Sequence, residues 1–299
     1  MKRTVAIWNP VSGSAPVESA LRDALGEDIE LVETTKDDPG GGQAQAAIDG
    51  GAEVVVACGG DGTVRACLDP LAGTTTALGI MPLGTGNLLA ANLGIPSGLS
   101  AGAGVGHGED RRIDVGRVNG EAFAVMAGSG FDALLIRDAN SRLKSKIGTA
   151  AYVLSGAKNL RQDCIRTKIT IDGEQWLDLR TTMVLVGNFG EISGGLKVFP
   201  DARPDDGKLD VAVMSASGIR EWASIAWRLF TNKPQRLDLA RRAHGSKIVV
   251  EHAVPRVYEM DGEDREPTKR LEFTVEPGAL LVRQSVHDDV HSGHSRADH

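Results

Sequence analysis

The stretch VVVACGGDGTV, residues 54–64, decides the fold. Its continuous apolar run predicts a strand buried on both faces, and two glycines end it. Glycines let backbone N–H groups approach an anion, and the helix that we expect next points its positive end at the same place. An ordinary tight turn is the alternative, but such a turn needs neither the carboxylate of Asp61 nor the hydroxyl of Thr63. The stretch therefore predicts a phosphate-binding turn that contains a carboxylate.

Short strands and helical segments alternate through the first part of the chain. Strands are predicted at 4–8, 29–33, 54–58 and 77–81, with helices at 17–25, 43–49, 64–71 and 88–93. This alternation predicts an α/β domain with a parallel, doubly wound sheet, in which ligands bind at the carboxyl ends of the strands. Loops rich in Asn, Ser, Thr and Gly follow these strands, so the sequence predicts a binding site along that edge.

Composition restricts the class of protein. A chain of 299 residues that is 41% hydrophobic is long enough for two packed domains. The net charge of −7 and the absence of a basic tract argue against a nucleic-acid binder. Three cysteines without metal-type spacing indicate reduced thiols in a cytoplasmic protein. Neither a signal peptide nor a membrane-spanning run is recognisable, so we expect at most peripheral contact with a membrane.

The second half of the chain changes character. Asn119-Gly120, flanked by 112–118 and 121–127, is a strong hairpin signal, and a helical stretch is expected at 134–160. Further strands are predicted at 166–171, 177–186, 209–214, 247–251, 256–260 and 271–275, which indicates a β-sandwich or barrel. Residues 285–299 carry four histidines without an apolar period and are predicted to form a disordered tail rather than a metal site.

Six motifs, in order, resemble the catalytic domain of diacylglycerol kinases and related lipid kinases. The two most specific are Gly59-Gly60-Asp61-Gly62-Thr63 and Pro82-Leu83-Gly84-Thr85-Gly86-Asn87. The others are Gly130-Phe131-Asp132, Gly187-Asn188, Asp205-Asp206-Gly207-Lys208-Leu209-Asp210 and Met260-Asp261-Gly262-Glu263. The resemblance covers the chain from Asn9 to about Val282.

The resemblance implies two domains with the active site in the cleft between them. The first would be a nucleotide-binding α/β domain like those of phosphofructokinases and NAD kinases, formed by 1–111 and joined by a returning segment at 276–284. The second would be a β-sandwich domain for the lipid substrate, formed by 112–275. Sphingosine kinases and ceramide kinases belong to the same superfamily.

The activity implied is transfer of the γ-phosphate of ATP to a lipid hydroxyl, most simply that of diacylglycerol, with Mg²⁺. Such a reaction needs bound phosphates, a metal and a carboxylate that accepts the hydroxyl proton. By resemblance, Asp261 is that base, Glu263 lies beside it, and Asp61 holds water and Mg²⁺. The residues implied to bind the nucleotide are Asn9, Pro10, Ser12, Gly13, Ser14, Thr35, Gly59, Gly60, Asp61, Gly62, Thr63, Val64, Gly84, Thr85, Gly86 and Asn87.

A second, structural Mg²⁺ is implied at the Asp-Asp-Gly-Lys loop. Its side-chain ligand would be Asp206, with the main-chain carbonyls of Arg203 and Lys208 completing the site. Oxygen ligands of this kind suit Mg²⁺. The same letters also form an ordinary β-turn, so the metal site rests on the resemblance.

Leu88 departs from the family pattern. Many bacterial diacylglycerol kinases carry an aspartate there, directly after Gly-Thr-x-Asn, whereas an aliphatic side chain cannot bind a metal. Sphingosine-type members also have an uncharged residue at this point. A sphingoid-base or ceramide kinase, an NAD kinase and a non-catalytic nucleotide- or lipid-binding protein therefore stay open as alternatives.

The apolar helix predicted at 219–230 bears on how a lipid would be reached. It carries Trp222 and Trp227 with two arginines. Such a helix packs on the β-rich domain or lies at a membrane interface, where Trp and Arg are favoured. The expected partners are ATP and a lipid at a membrane surface, with a homodimer as a further expectation.

Overall fold

The computed structural model describes residues 3–10, 18–102, 105, 108–130, 164–192, 196–215 and 240–284. Several predictions lie outside these ranges: the nucleotide contacts of Ser12, Gly13 and Ser14, the helices at 134–160 and 219–230, and the tail at 285–299. Among the described residues, no helix has the length and apolar character needed to cross a membrane.

The first part of the chain is the predicted α/β unit. Its strands are β1 (Thr4–Trp8), β2 (Glu30–Glu33), β3 (Val54–Gly59) and β4 (Ala77–Pro82). Its helices are α1 (Glu18–Leu25), α2 (Gly41–Asp49), α3 (Asp61–Leu71) and α4 (Leu88–Asn92), followed by a 3₁₀ helix (Gly98–Ala101). The four strands are parallel in the order β2-β1-β3-β4. Every residue of β3 and β4 is buried, as the apolar runs predicted.

Helix α3 begins three residues earlier than the sequence predicted. Gly60 is its N-cap residue, so Asp61 lies in the first turn. A negative side chain there is favoured by the helix dipole, which explains why the helix continues back to the glycines. The carboxylate is therefore part of the helix and not of a free loop.

The second part of the chain is antiparallel. Its first strands are β5 (Glu109–Val118), β6 (Glu121–Phe123), β7 (Met126–Ser129), β8 (Ile165–Ile171), β9 (Glu174–Thr181) and β10 (Met183–Gly187). Its later strands are β11 (Glu191–Ile192), β12 (Leu196–Lys197), β13 (Leu209–Met214), β14 (Ala240–Gly245), β15 (Lys247–Met260) and β16 (Glu263–Gln284). The predicted hairpin at Asn119-Gly120 is confirmed, because both residues have positive φ and join β5 to β6.

Three predicted strand patterns were wrong in detail. The strand predicted at 177–186 is divided at Thr182 into β9 and β10. The strand predicted at 121–127 is broken at Ala124 and Val125. The strands predicted at 247–251 and 256–260 form one strand, β15, whose pairing with β16 shifts register between Glu251 and Arg256. Such a bulge looks like a strand end in the sequence.

Strand β16 joins the two parts of the chain. It pairs antiparallel with β15 and β5, and its Val282 pairs parallel with Leu78 of β4. Fourteen of the described strands thereby form one mixed sheet, whose main path has the order β14-β13-β10-β7-β15-β16-β4-β3-β1-β2. Strands β5, β6, β8 and β9 pair beside this path, and β11 and β12 form a separate two-stranded sheet. The predicted boundary at residues 111 and 112 falls inside β5, and the division into domains stays a prediction.

One apolar core also runs through both parts. It combines side chains of the first sheet with side chains of the antiparallel strands: Ile7, Val55, Leu68 and Ile80 with Ile113, Met126, Leu185 and Phe199. Burial of apolar surface contributes about 25 cal/mol per Å², so a continuous core holds the two parts in a fixed relation. The cleft between them is therefore built on a rigid base.

Two glycine loops touch directly at the edge of the first sheet. A Cβ atom placed on Gly84 would lie 2.5 Å from the Cα of Gly60, whereas a Cβ on Gly60 would lie 3.3 Å from the Cα of Gly84. Real Cβ atoms do not approach backbone to 2.5 Å. The loops after β3 and β4 therefore need glycine at position 84 in order to pack.

We predict that Gly84→Ala lowers the free energy of unfolding by about 1–3 kcal/mol, because the added methyl group forces two backbone segments apart. The matched variant Gly60→Ala adds the same atom on the roomier side of the contact and should cost less. Urea denaturation of both variants measures the difference. Equal stability of Gly84→Ala and the wild type would contradict the close contact.

Candidate active site

The predicted polar loops lie at the carboxyl edge of the parallel sheet. Trp8, Cys58 and Met81 are in register at the ends of β1, β3 and β4. Asn9 therefore follows β1 beside the glycines that follow β3, and its N–H donates to the Cys58 carbonyl at 3.1 Å. Thr35 lies in the loop after β2, where its hydroxyl accepts a bond from the Asp38 N–H at 3.0 Å.

Asp61 ties the two glycine loops together. The N–H of Asn87 donates to Oδ2 at 2.8 Å, and the N–H of Leu88 donates to Oδ1 at 2.6 Å. A Cβ on Gly86 would lie 2.5 Å from Oδ2, so glycine is required there too. Burial raises the pKa of Asp61, the N–H bonds from Leu88 and Asn87 oppose that rise, and the Glu263 carboxylate adds to it.

Asn87 closes the second loop on itself. Its backbone adopts a left-handed conformation with φ 49°, a region where Asn is tolerated. Its side chain accepts from the Gly84 N–H at 3.1 Å and donates to the Gly84 carbonyl at 2.8 Å. The side chain thus shapes the loop, while the N–H groups of Asn87 and Leu88 are turned toward Asp61.

Asp261 lies in a two-residue turn between β15 and β16 but is buried, with 6% of its surface exposed. Its carboxylate accepts three consecutive N–H groups: those of Ala124 at 2.8 Å, Val125 at 3.0 Å and Met126 at 2.9 Å. The pKa of Asp261 is raised to about 6, chiefly by burial and also by the charge of Asp61, whereas the three N–H bonds act to lower it. A carboxyl group tuned in this direction suits proton transfer near neutral pH.

Glu263 is the first residue of β16 and faces helix α3. Its Oε2 accepts from Arg65 Nη2 at 2.5 Å and from Arg265 Nη1 at 3.3 Å. A Cβ on Gly62 would lie 2.8 Å from Oε1, so the absence of a side chain at position 62 lets the carboxylate approach the helix. Glu263 therefore has two arginine partners, and the Asp-Gly-Glu motif gave no sign of either.

A small cavity lies between Asp61, Arg65 and Asp261. Its volume is about 10 Å³, enough for roughly one water molecule. Its ionisable lining residues are Asp61, Arg65 and Asp261, and the rest of the lining is Val64, Leu68, Leu88, Leu89, Ala124 and Val125. The structure therefore brings Asp61 and Asp261 to one place, although they are far apart in the chain.

The other residues predicted to bind a nucleotide differ in exposure. Thr63 is buried at 3% exposure, and a Cβ on Gly59 would lie 2.5 Å from its hydroxyl oxygen, so its side chain packs against the strand end. Pro10, Thr35, Thr85 and Gly86 are exposed, whereas Asn9, Gly60, Gly62 and Gly84 are half-buried. Their roles in binding stay predictions.

The loop predicted to hold a second metal is fixed by protein groups. Asp206 accepts from the Lys208 N–H at 3.0 Å, and Asp205 pairs with Arg111 at 2.7 Å. Arg203 follows Ala202 in the same loop. Across the described ranges, no group of three or more His, Cys, Asp or Glu side chains is arranged to hold a metal ion. A Mg²⁺ at Asp206 therefore stays a prediction.

Three residues near the site carry contacts that the sequence did not indicate. The buried carboxylate of Asp114 accepts from the N–H groups of Gly207 and Gly278, each at 2.7 Å. Asn188 donates to the carbonyls of Asp114 at 2.8 Å and Ala124 at 3.3 Å. The third residue is Arg65. A polar residue between Ile113 and Val115 was a usable signal for Asp114. The Gly187-Asn188 motif marked Asn188 but not its partners, and nothing local marked Arg65.

Comparison with known proteins agrees with this architecture. A family model of the diacylglycerol kinase catalytic domain matches residues 3–118. A model of the YegS C-terminal NAD kinase β-sandwich-like domain matches residues 125–284. Together the two models cover most of the chain.

Individual relatives are similar over nearly their whole length. A Pseudomonas aeruginosa protein named a probable YegS-like lipid kinase is 32% identical over 88% of this chain and 87% of its own. A diacylglycerol kinase of Mycobacterium tuberculosis is 28% identical over 95% of this chain and 96% of its own. The crystal structure of a diacylglycerol kinase from Bacillus anthracis superposes with a TM-score of 0.75, at 23% identity, over 95% of this chain and 97% of that one.

We predict that Asp261→Asn lowers kcat by about 10²- to 10⁴-fold, the usual contribution of a general base, because an amide cannot accept the proton. Asp172→Asn is the matched control: Asp172 lies in the same kind of Asp-Gly turn, is exposed, and accepts from Ser246 and Lys247. The control should keep wild-type turnover in a steady-state kinase assay. Near wild-type turnover by Asp261→Asn would refute its assignment as the base.

The pH dependence follows from the same group. Since the pKa of Asp261 is raised to about 6, the carboxyl group becomes protonated as the pH falls through that value. We expect kcat/KM to fall about tenfold for each pH unit below that point and to level off above it. A pH–rate profile between pH 4.5 and 8 measures this, and a profile that stays flat down to pH 5 would contradict it.

Proposed function

The chain belongs to the diacylglycerol kinase family of lipid kinases, and we propose that it transfers the γ-phosphate of ATP to a hydroxyl group of diacylglycerol or a closely related lipid. The observation that carries the proposal is the position of Asp261. A buried carboxylate with a raised pKa shares a water-sized cavity with Asp61 at the edge where the glycine loops meet. A kinase needs a proton acceptor at the place where the phosphates are held.

Asp261 would act on the lipid hydroxyl. Its three N–H bonds orient the carboxylate: two go to Oδ1 and one goes to Oδ2, which keeps a lone pair for the hydroxyl proton. As the hydroxyl oxygen attacks the γ-phosphorus, its proton would pass to this carboxylate, and the bond from the γ-phosphorus to the β–γ bridging oxygen would break to release ADP. The apolar lining of the cavity limits the access of water, which would otherwise compete as the phosphoryl acceptor.

The glycine loops after β3 and β4 would hold the nucleotide. The backbones of Gly60 and Gly84 pack directly against each other, so a phosphate could approach this part of both loops without meeting a side chain. The N–H groups of Gly84 and Asn87 are already bonded within the protein, and they fix the shape of the second loop. Asn9 and Thr35 follow the neighbouring strands and would complete the edge. This use of strand ends agrees with the general location of ligands in doubly wound sheets.

Asp61 fits a Mg²⁺ site of the kind that kinases use. Mg²⁺ binds through one or two carboxylates together with water and substrate phosphates, so a three-carboxylate cluster is not required. Each Asp61 oxygen accepts one N–H bond from α4 or its cap and has a lone pair left. When bound, the ion would neutralise charge on the transferring phosphoryl group.

The alternatives differ in substrate or in catalysis. An uncharged residue at position 88 is compatible with a sphingoid-base or ceramide kinase. An ATP complex of the Archaeoglobus fulgidus NAD kinase shares the fold at a TM-score of 0.51 and 11% identity, over 94% of each chain. A non-catalytic protein would bind ATP without turnover. The proposal also includes a cytoplasmic location and peripheral contact with the membrane that holds the lipid. It further includes assembly of the enzyme as a homodimer.

The decisive experiment offers labelled ATP and Mg²⁺ with diacylglycerol, sphingosine, ceramide, phosphatidylglycerol and NAD in separate reactions. We expect labelled phosphatidic acid from diacylglycerol, and Asp261→Asn should abolish it while Asp172→Asn does not. Label in sphingosine or ceramide alone would show that this lipid, and not diacylglycerol, is the substrate. Label in NAD alone, or ATP binding without any product, would overturn the proposal.

A further inference from the structure

Arg65 occupies a central position in the cleft. It lies one helical turn after Asp61 on α3, and its Nη2 donates to Glu263 Oε2 at 2.5 Å across to β16. It also lines the small cavity with Asp61 and Asp261. Within the part of the chain that the structure describes, it is the only cationic residue in that lining.

The guanidinium of Arg65 has a hydrogen-bond donor that no described residue uses. Its Nε atom is buried and has no hydrogen-bond partner among the described residues. A buried donor without a partner is destabilising, and nearly all such groups in folded proteins are satisfied by protein, water or ligand. Arginine also presents its donors as a fork that matches phosphate oxygens. The unused donor therefore indicates a ligand with acceptor oxygens.

The surroundings of Glu263 define its part in this arrangement. Its Oε2 lies between two guanidinium groups, those of Arg65 and Arg265, and its Oε1 lies over Gly62. Arg265 is held in turn by Glu121, at 3.1 Å from its Nε. Such a chain of ion pairs fixes the orientation of a long side chain and reduces the entropy lost when Arg65 binds a ligand.

We propose that Arg65 binds the terminal phosphoryl group of the nucleotide during its transfer, and that Glu263 is a positioning residue that orients the Arg65 guanidinium. This rests on the proposed function, in which the hydroxyl that attacks the γ-phosphorus lies against Asp261. Because Arg65 and Asp261 line the same cavity, a phosphoryl group beside one is within reach of the other. A guanidinium at that place offsets the charge of the phosphoryl oxygens, as arginines do in other phosphoryl transfers.

The first test compares nucleotide binding by the wild type and Arg65→Gln. Isothermal titration with ADP and with a non-hydrolysable ATP analogue, in the presence of Mg²⁺, reports the contact with the terminal phosphate directly. We expect Arg65→Gln to weaken binding of the triphosphate analogue about tenfold or more and to leave ADP within about threefold. We also expect kcat to fall about 10²- to 10³-fold. Arg65→Lys keeps the positive charge but not the forked arrangement of donors. Its triphosphate affinity and its kcat should therefore lie between those of the wild type and those of Arg65→Gln.

Two further variants separate this role from a structural one. Arg117 joins the same elements outside the cavity, through Asp69 of α3 at 2.6 Å and Glu276 of β16 at 2.7 Å. Arg117→Gln therefore removes ion pairs to α3 and β16 and should leave nucleotide discrimination and turnover at wild-type levels. Glu263→Gln leaves Arg65 in place without its orienting partner, so its loss of triphosphate affinity should be smaller than that of Arg65→Gln.

The outcomes decide between the readings. If Arg65→Gln and Arg65→Lys, shown by thermal unfolding to be folded, discriminate the triphosphate from ADP as the wild type does, the inference is wrong. Equal losses in Arg65→Gln, Glu263→Gln and Arg117→Gln would make the ion pairs merely structural and would also overturn it. If the wild type binds neither nucleotide, the proposed function is wrong as well. If the wild type binds both and the Arg65 variants discriminate as it does, only the role of Arg65 is wrong.

Discussion

The pairing of strand β16 is the constraint on which the rest of the structure depends. This strand continues the antiparallel sheet through β15 and β5 and also pairs with β4 of the parallel sheet. Near its end, Arg283 forms a two-bond ion pair with Asp110 of β5, at 2.6 and 2.7 Å. Because the turn that carries Asp261 immediately precedes β16, the pairing fixes this carboxylate relative to the loops of the first sheet. Together with the apolar core that both parts share, this pairing holds Asp61 and Asp261 in place relative to each other.

The electrostatics of the cleft describe a site prepared for a charged ligand. Asp61 is half-buried and Asp261 is buried, and each has a raised pKa to which a neighbouring carboxylate contributes. Backbone N–H groups hold both side chains in place but compensate only part of the cost of burial. Arg65, one turn after Asp61 on α3, has a buried Nε donor without a partner among the described residues. Carboxylates with raised pKa values beside an unused donor are the charge pattern on which the proposed metal and phosphate contacts rest.

The sequence predicted those features that depend on local patterns. The buried strand before Gly59, the parallel sheet, the glycine loops and the hairpin at Asn119 all follow from apolar runs, glycines or turn residues. The break at Ala124 and Val125 did not, because the N–H groups freed there donate to Asp261, a carboxylate more than a hundred residues away in the chain. The pairing of Arg65 with Glu263 was not predicted for the same reason, because the two residues are 198 positions apart in the chain.

Two identical turns show how position outweighs sequence pattern. Asp172-Gly173 and Asp261-Gly262 both connect antiparallel strands with positive φ at each residue. The first aspartate is exposed and caps a neighbouring turn through Ser246, whereas the second is buried and accepts three N–H bonds. No local property distinguishes them. Only the order of motifs along the chain separated the candidate catalytic residue from an ordinary turn.

The substitution at Leu88 illustrates the same separation between backbone and side chain. Asp61 is bound by the backbone N–H of Leu88, a contact that any residue other than proline supplies. The position of Asp61 is therefore insensitive to the missing carboxylate. The leucine side chain instead contributes to the apolar wall of the cavity, so the cavity lining has two carboxylates facing one arginine. With one acid fewer, a guanidinium can neutralise a larger share of the charge when a phosphoryl group enters. In this chain, Leu88 and Arg65 are thus two parts of one charge arrangement.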